Sequence, residues 1–180
     1  YGKVRPRLDR PDFVPIVTAI PLTNAQSLLR EVVESVASGF SRIDDLEIIL
    51  QDATLGVEQV HIERAISETC LNALMFSPRE TEIRITSRIV DELYVVDITN
   101  IGREMTEEQI HAVKQPLATF VQFDRDYFEQ QGTGLGLTLT RCIIALYGGY
   151  FDIVSDKTQT TVSIGFPLYF VGGYKIGKLQ

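Results

Sequence analysis

QQGTGLGLTLTRCIIALYGG, residues 130–149, is the stretch on which the reading of this chain turns. Gly132, Gly134 and Gly136 alternate with Thr133 and Leu135, then run into an apolar pattern of helical period that stops at Gly148 and Gly149. A Rossmann fingerprint needs G-x-G-x-x-G directly after a strand, and a Walker loop needs Gly-Lys-Ser/Thr. Neither is present. The spacing is G-x-G-x-G, and residues 115–133 before it show no steady period. Alternate glycines suit a backbone that bends tightly and leaves its N–H groups free; with the positive end of the following helix, those donors make an anion site. The same glycines also suit a close-packed helix start with no ligand, and taken alone they do not separate the two readings.

Outward from this turn the chain reads as one α/β domain. Four of the seven prolines (Pro6, Pro11, Pro15, Pro21) fall in residues 1–22, which read as an extended arm or linker. Thr23 or Asn24 is a candidate N-cap for AQSLLREVVESVASGF, where Leu28, Leu29, Val32, Val33 and Val36 form one stripe. LEIILQDA (46–53) alternates as a strand, and residues 57–77 form a second, longer helix. TEIRITSRIV, the Asp91–Glu92 turn and LYVVDIT make a hairpin by their period of two. A short helix is expected near MTEEQIHAV, a third long helix over about 134–147, and a second hairpin from YFDIVSD and TTVSIGFPL. The expected fold is an α+β two-layer sandwich over residues 23–168, with a mixed, largely antiparallel sheet, long helices on one face, and a tail at 169–180.

Composition narrows the function. A net charge of −7 argues against a nucleic-acid surface, which needs clustered Lys and Arg. No apolar run approaches the roughly 18–20 residues that span a bilayer, so no membrane contact by this segment is expected. No signal peptide is visible, although the first residue is Tyr1 rather than Met; Cys70 and Cys142 read as two buried thiols in helical patterns, and the expected setting is reducing and cytoplasmic.

Two further features bear on the glycine turn. Glu68 and Asn72 are four apart on the second helix and share a face. An amide oxygen near a carboxylate suits Mg²⁺, which keeps waters and uses few protein ligands; taken alone, the pair reads first as an Asn capping a neighbouring loop and a Glu at the solvent edge. DITNIGREMT (97–106) ends a strand in a polar residue, a glycine and a helix start, a common form for a ligand-facing loop.

Together these segments resemble the ATP-binding domain of sensor histidine kinases, within the wider gyrase, Hsp90 and MutL-type ATPases of the Bergerat (GHKL) fold. The resemblance covers about residues 24–168 and rests on E-x-x-x-N-A (Glu68, Asn72, Ala73), NIGREM, the F-x-x-F of Phe120 and Phe123, and GTGLGL. It implies Mg²⁺ and the triphosphate at Asn72, with Glu68 assisting phosphoryl transfer as the catalytic residue. It also implies the adenine loop at Asn100 and Gly102, lid aromatics at Phe120 and Phe123, and phosphate-wrapping backbone along Gly132, Thr133, Gly134, Leu135 and Gly136. The implied ligands are ATP or ADP with Mg²⁺. The implied partners are a His-bearing dimerisation domain and a response regulator, with dimerisation through regions outside this segment.

Three positions depart from the family pattern. Its adenine loop reads D-x-G-x-G, where this chain has Asn100-Ile101-Gly102-Arg103-Glu104. Asn accepts through its oxygen without charge assistance, a loss of about 1–2 kcal/mol. Glu104 replaces a glycine, and Met75 stands where a lysine often faces the phosphates. Arg103 and Arg125 are candidates to replace that charge, while Asp97 belongs to the strand. His61 and His111 lack the context of a phosphoacceptor and read as solvated helix residues. The alternative function is a degenerate, pseudokinase-like module that senses nucleotide or docks a protein. An ATPase clamp is disfavoured by the short, kinase-type lid.

Overall fold

The computed structural model describes residues 21–114 and 135–169. Along the chain run α1 (Ala25–Gly39), a 3₁₀ turn (Ile43–Asp45), β1 (Leu46–Ile49), α2 (Gln59–Phe76), β2 (Ile83–Val90) and β3 (Leu93–Ile101). Then follow α3 (Glu107–Lys114), α4 (Leu135–Leu146), β4 (Tyr150–Ser155) and β5 (Gln159–Pro167). The five strands form one sheet in the order β1-β2-β3-β5-β4. Only the β1–β2 pair is parallel; every other pairing is antiparallel, as two hairpins require. The two-layer, mixed-sheet expectation is therefore met.

The core lies between the sheet and the helices. Ala25, Leu29, Val33 and Ala37 of α1 and Ile62, Ala65, Ile66, Cys70 and Ala73 of α2 are buried in one cluster. They pack with Ile143 and Ile144 of α4 and with Ile85, Tyr94, Val96, Ile98, Ile164 and Phe166 of the sheet. Strand alternation places these sheet residues on the helix side. The opposite side carries polar cross-strand pairs: Arg88 with Asp97, Ser163 Oγ donating to Asp97 at 2.6 Å, and Thr99 with Thr161 at 2.9 Å.

Turn chemistry explains most boundaries. Asp91 and Glu92 both have positive φ (47° and 66°), the I′ geometry that matches the twist of a two-residue hairpin. Thr106 and Gln109 form a reciprocal capping box at the start of α3: Gln109 N–H donates to Thr106 Oγ1 at 3.2 Å and Thr106 N–H to Gln109 Oε1 at 2.9 Å. At the end of α4, Gly148 has φ 61°, and the N–H groups of Gly148 and Gly149 donate to the Ala145 and Ile144 carbonyls. That is a Schellman stop, which accounts for the glycine pair at the end of the opening stretch.

Several expectations are corrected. β1 is four residues long and ends at Ile49, because the 50–56 segment serves other partners. Gln26 N–H donates to Asp52 Oδ1 at 3.3 Å and Ala25 N–H to the Ala53 carbonyl at 3.2 Å, so this segment caps α1. Asn24 occupies the N-cap position in the left-handed region and makes no side-chain cap. Leu55 bridges both Leu22, read as arm, and Leu168, while Tyr169 N–H, read as tail, donates to the Thr54 carbonyl at 2.9 Å. Residues 1–20 of the expected arm and 170–180 of the expected tail lie outside the described residues. Cys142 is half-buried rather than buried, and both thiols are free. His61 is not a merely solvated residue: its Nδ1 lies 2.5 Å from the Tyr147 hydroxyl, which also accepts the Glu58 N–H at 3.3 Å. The two rings meet edge-on and tie the start of α2 to the residue that follows α4. His111 is exposed on α3.

Arg42, unremarked in the sequence, is 4% exposed and holds the far end of α2. A second Schellman turn places it: Ser41 takes φ 55°, and the Ser41 and Arg42 N–H groups return to the Ser38 and Ala37 carbonyls. Its guanidinium donates to the carbonyls of Leu74, Ser77, Pro78 and Thr81 and to Ser77 Oγ, and it pairs with Asp45 at 2.5 Å. A cation on the last carbonyls of a helix also opposes the negative end of its dipole. Arg42→Met leaves those carbonyls and Asp45 unpaired; a loss of about 3–5 kcal/mol is expected, read as a lowered urea midpoint at unchanged slope. Burial pushes the Cys70 thiol up to about 12. In the folded chain at pH 8, Cys142 is expected to be alkylated well before Cys70, and the two to react alike in denaturant, as followed by mass spectrometry.

Candidate functional site

The sequence-derived residues sit on three elements: α2, the end of β3 and the start of α4. On α2, the i, i+4 spacing aligns Arg64, Glu68 and Asn72 along one face. The Glu68 side chain is 15% exposed and pairs with Arg64 at 2.5 Å. Asn72 is half-buried one turn on. Met75, a further turn along, is exposed and brings no charge.

α4 crosses directly over Glu68. A Cβ placed on Gly136 would stand 2.5 Å from Glu68 Oε2 and 3.4 Å from its Cδ. Glycine therefore lets the N-terminal turn of α4 come down onto the carboxylate. Buried threonines support the same packing, with Thr140 Oγ1 donating to the Ala65 carbonyl at 3.3 Å. Leu135 is half-exposed at the first position of the helix. Phe120, Phe123, Gly132, Thr133, Gly134 and Arg125 lie outside the described residues.

β3 delivers the third part. Asn100 stands between Ile83 of β2 and Thr160 of β5, on the core side of the sheet, and is 3% exposed. Its Nδ2 is buried with no hydrogen-bond partner among the described residues, a state that costs about 1–3 kcal/mol if left unfilled. The neighbouring polar groups are already engaged. Thr160 Oγ1 and Ser155 Oγ lie 2.6 Å apart, and Ser155 Oγ accepts the Met105 N–H at 2.9 Å. Gly102 N–H donates to the Thr158 carbonyl at 3.3 Å. Any side chain on Gly102 would collide with the Phe76 carbonyl and stand 3.2 Å from Asn100 Nδ2. The loop after β3 thus lies against the C-terminal end of α2, the end that Arg42 holds.

Asp97 is confirmed as a strand residue: an odd number of positions separates it from Asn100, so it faces the other side of the sheet, with Arg88 and Ser163. Arg103 and Glu104 are exposed. The sequence reading passed over Arg64 and Thr160. The i, i+4 spacing to Glu68 was a signal for Arg64; for Thr160 only strand register gives one. Among the described residues no group of three or more His, Cys, Asp or Glu converges to hold a metal, and no helix is long and apolar enough to cross a membrane.

Comparison with known proteins supplies the family. The family described as "Histidine kinase-, DNA gyrase B-, and HSP90-like ATPase" matches residues 57–169, more than half of the chain. The heme sensor protein HssS of Staphylococcus epidermidis is 28% identical over 131 residues, covering 68% of this chain and 27% of that protein. Sporulation kinase D of Bacillus subtilis is 24% identical over 153 residues, covering 82% and 28%. The chain thus spans less than a third of either relative. Among solved structures, a mycobacterial sensor histidine kinase, MprB, superposes with a TM-score of 0.68 at 19% identity, over 83% of this chain and 97% of that one. The chain belongs to the histidine kinase-, DNA gyrase B- and HSP90-like ATPase family and has the fold of a sensor histidine kinase's catalytic, ATP-binding domain.

Proposed function

We propose that this chain binds Mg²⁺–ATP and presents the γ-phosphate to a histidine on a separate dimerisation domain, in a two-component sensor kinase that works in the cytoplasm. The observation that carries the reading is the contact of the Glu68 carboxylate with Gly136. It sets a carboxylate, an amide one turn along, and the N-terminal turn of a glycine-led helix side by side. Phosphoryl transfer asks a protein chiefly for positioning and charge stabilisation, and these groups supply both. The N-terminal N–H groups of α4 receive phosphate oxygens. Asn72 offers its carbonyl oxygen to Mg²⁺, which would reach the site with the nucleotide and neutralise triphosphate charge. An ion held mainly by phosphates needs no all-protein cage.

Glu68, braced by Arg64, stands where it can orient the incoming imidazole or accept its proton. Asn100 and Gly102 take the base side, with Gly102 letting the loop pack on Phe76. Phe120, Phe123 and the backbone of Gly132, Thr133, Gly134, Leu135 and Gly136 close over the phosphates in this reading. A response regulator receives the phosphoryl group from the histidine, and dimerisation rests on regions outside residues 1–180. The alternative, a degenerate nucleotide-sensing or docking module, draws on Asn100 and Met75, which lack the charge usual in the family, and on Glu104, which replaces a glycine.

Calorimetric titration of ATP with and without Mg²⁺ tests the proposal. Binding is expected in the micromolar to low-millimolar range for the 180-residue chain, with the Mg²⁺ dependence removed in Asn72→Ala. Absence of binding at millimolar nucleotide, with none restored by Asn100→Asp, would overturn the kinase reading in favour of the docking module.

A further inference from the structure

The Asn100 amide has a consequence for which nucleotides the site takes. A carboxylate accepts hydrogen bonds and cannot donate, so at this position it favours a base that presents an N–H and repels one that presents a carbonyl. An amide does both. Asn100 is 3% exposed, its Nδ2 lacks a partner among the described residues, and Thr160, Ser155, Met105 and the Gly102 N–H beside it are satisfied by one another or by Thr158. A buried donor in such surroundings is matched by an ordered water or by an acceptor that a ligand brings.

We infer that this site accepts 6-oxopurine nucleotides alongside adenine nucleotides, with Asn100 as the residue that sets the choice. The inference rests on the reading above, in which Asn100 meets the base. A 6-oxopurine offers O6 as acceptor and N1–H as donor, and an amide answers both, Nδ2 donating to O6 and Oδ1 accepting from N1–H. Adenine reverses the two roles, its amino group donating and N1 accepting, and a turned amide answers it equally well. Asp in place of Asn removes the donor, sets a negative charge against O6, and restores discrimination of roughly ten-fold or more, the usual value of a two-bond amide–base match.

Inosine triphosphate is the probe, because it carries the 6-oxo group without the 2-amino group of guanine. The 180-residue chain and its Asn100→Asp variant are titrated with Mg²⁺–ATP and Mg²⁺–ITP, and far-UV circular dichroism checks that the variant is folded. Wild type is expected to bind the two within about ten-fold, and Asn100→Asp to widen the ratio in favour of ATP by roughly ten-fold or more. A wild-type preference for ATP greater than ten-fold overturns the inference even if the variant does not fold, as does an unchanged ratio in a folded variant. In both cases ATP binding stands, so the nucleotide-binding reading survives. No binding of either nucleotide to either protein removes both.

Discussion

The hold of Arg42 on the C-terminal end of α2 is the constraint on which the site depends. α2 carries Glu68 and Asn72 in its middle and meets Gly102 through the Phe76 carbonyl at its end. A helix end buried without partners for its last carbonyls is unstable, and here one guanidinium answers the Leu74, Ser77 and Pro78 carbonyls together. With that end fixed, β2 starts in register with β1, and the β3 loop has a firm surface to lie on. The His61–Tyr147 pair fixes the other end of α2 relative to α4. The helix is thus tied at both ends, and the row of exposed Arg64 and half-buried Glu68 and Asn72 lies between the ties.

Within that frame, two glycines decide how closely the parts approach. Gly136 admits α4 onto the Glu68 carboxylate, and Gly102 admits the β3 loop onto Phe76. Both act through the absence of a side chain rather than through an unusual backbone angle. The result joins three segments far apart in sequence: a carboxylate and amide on one helix, the N–H groups of another, and a buried amide at a strand end. The departures at Asn100, Glu104 and Met75 are confined to the base side and to the rim of α2. The Glu68–Gly136 contact is untouched by them.

Much of this is legible in the sequence. The helices and hairpins follow from periods of 3.6 and two, and the glycine pair at 148–149 marked a helix stop by its chemistry. Where the sequence misled, a distant partner intervened. Asn24 looks like a helix cap by type, yet Asp52 and Ala53 satisfy the first N–H groups of α1. His61 reads as a solvated helix residue, yet a tyrosine 86 positions away reaches it. LEIILQDA alternates like a longer strand, but past Ile49 its backbone is needed at α1 and at the Leu22–Leu55–Leu168 bridges.

The sequence by itself determined the inventory of the site and its order along the chain: a carboxylate four residues before an amide, an Asn–x–Gly after a strand, and alternate glycines before a helix. Local patterns specify such things because helix and strand geometry relate residues only a few positions apart. Tertiary structure alone decided that Arg42 clamps α2, that Asp97 faces away from Asn100 and pairs with Arg88, and that Glu68 lies under Gly136. It alone decided that Asn100 is buried with no partner for its donor among the described residues. Each of these depends on what stands across the sheet or on the facing helix, and burial and hydrogen-bond satisfaction are properties of those neighbours.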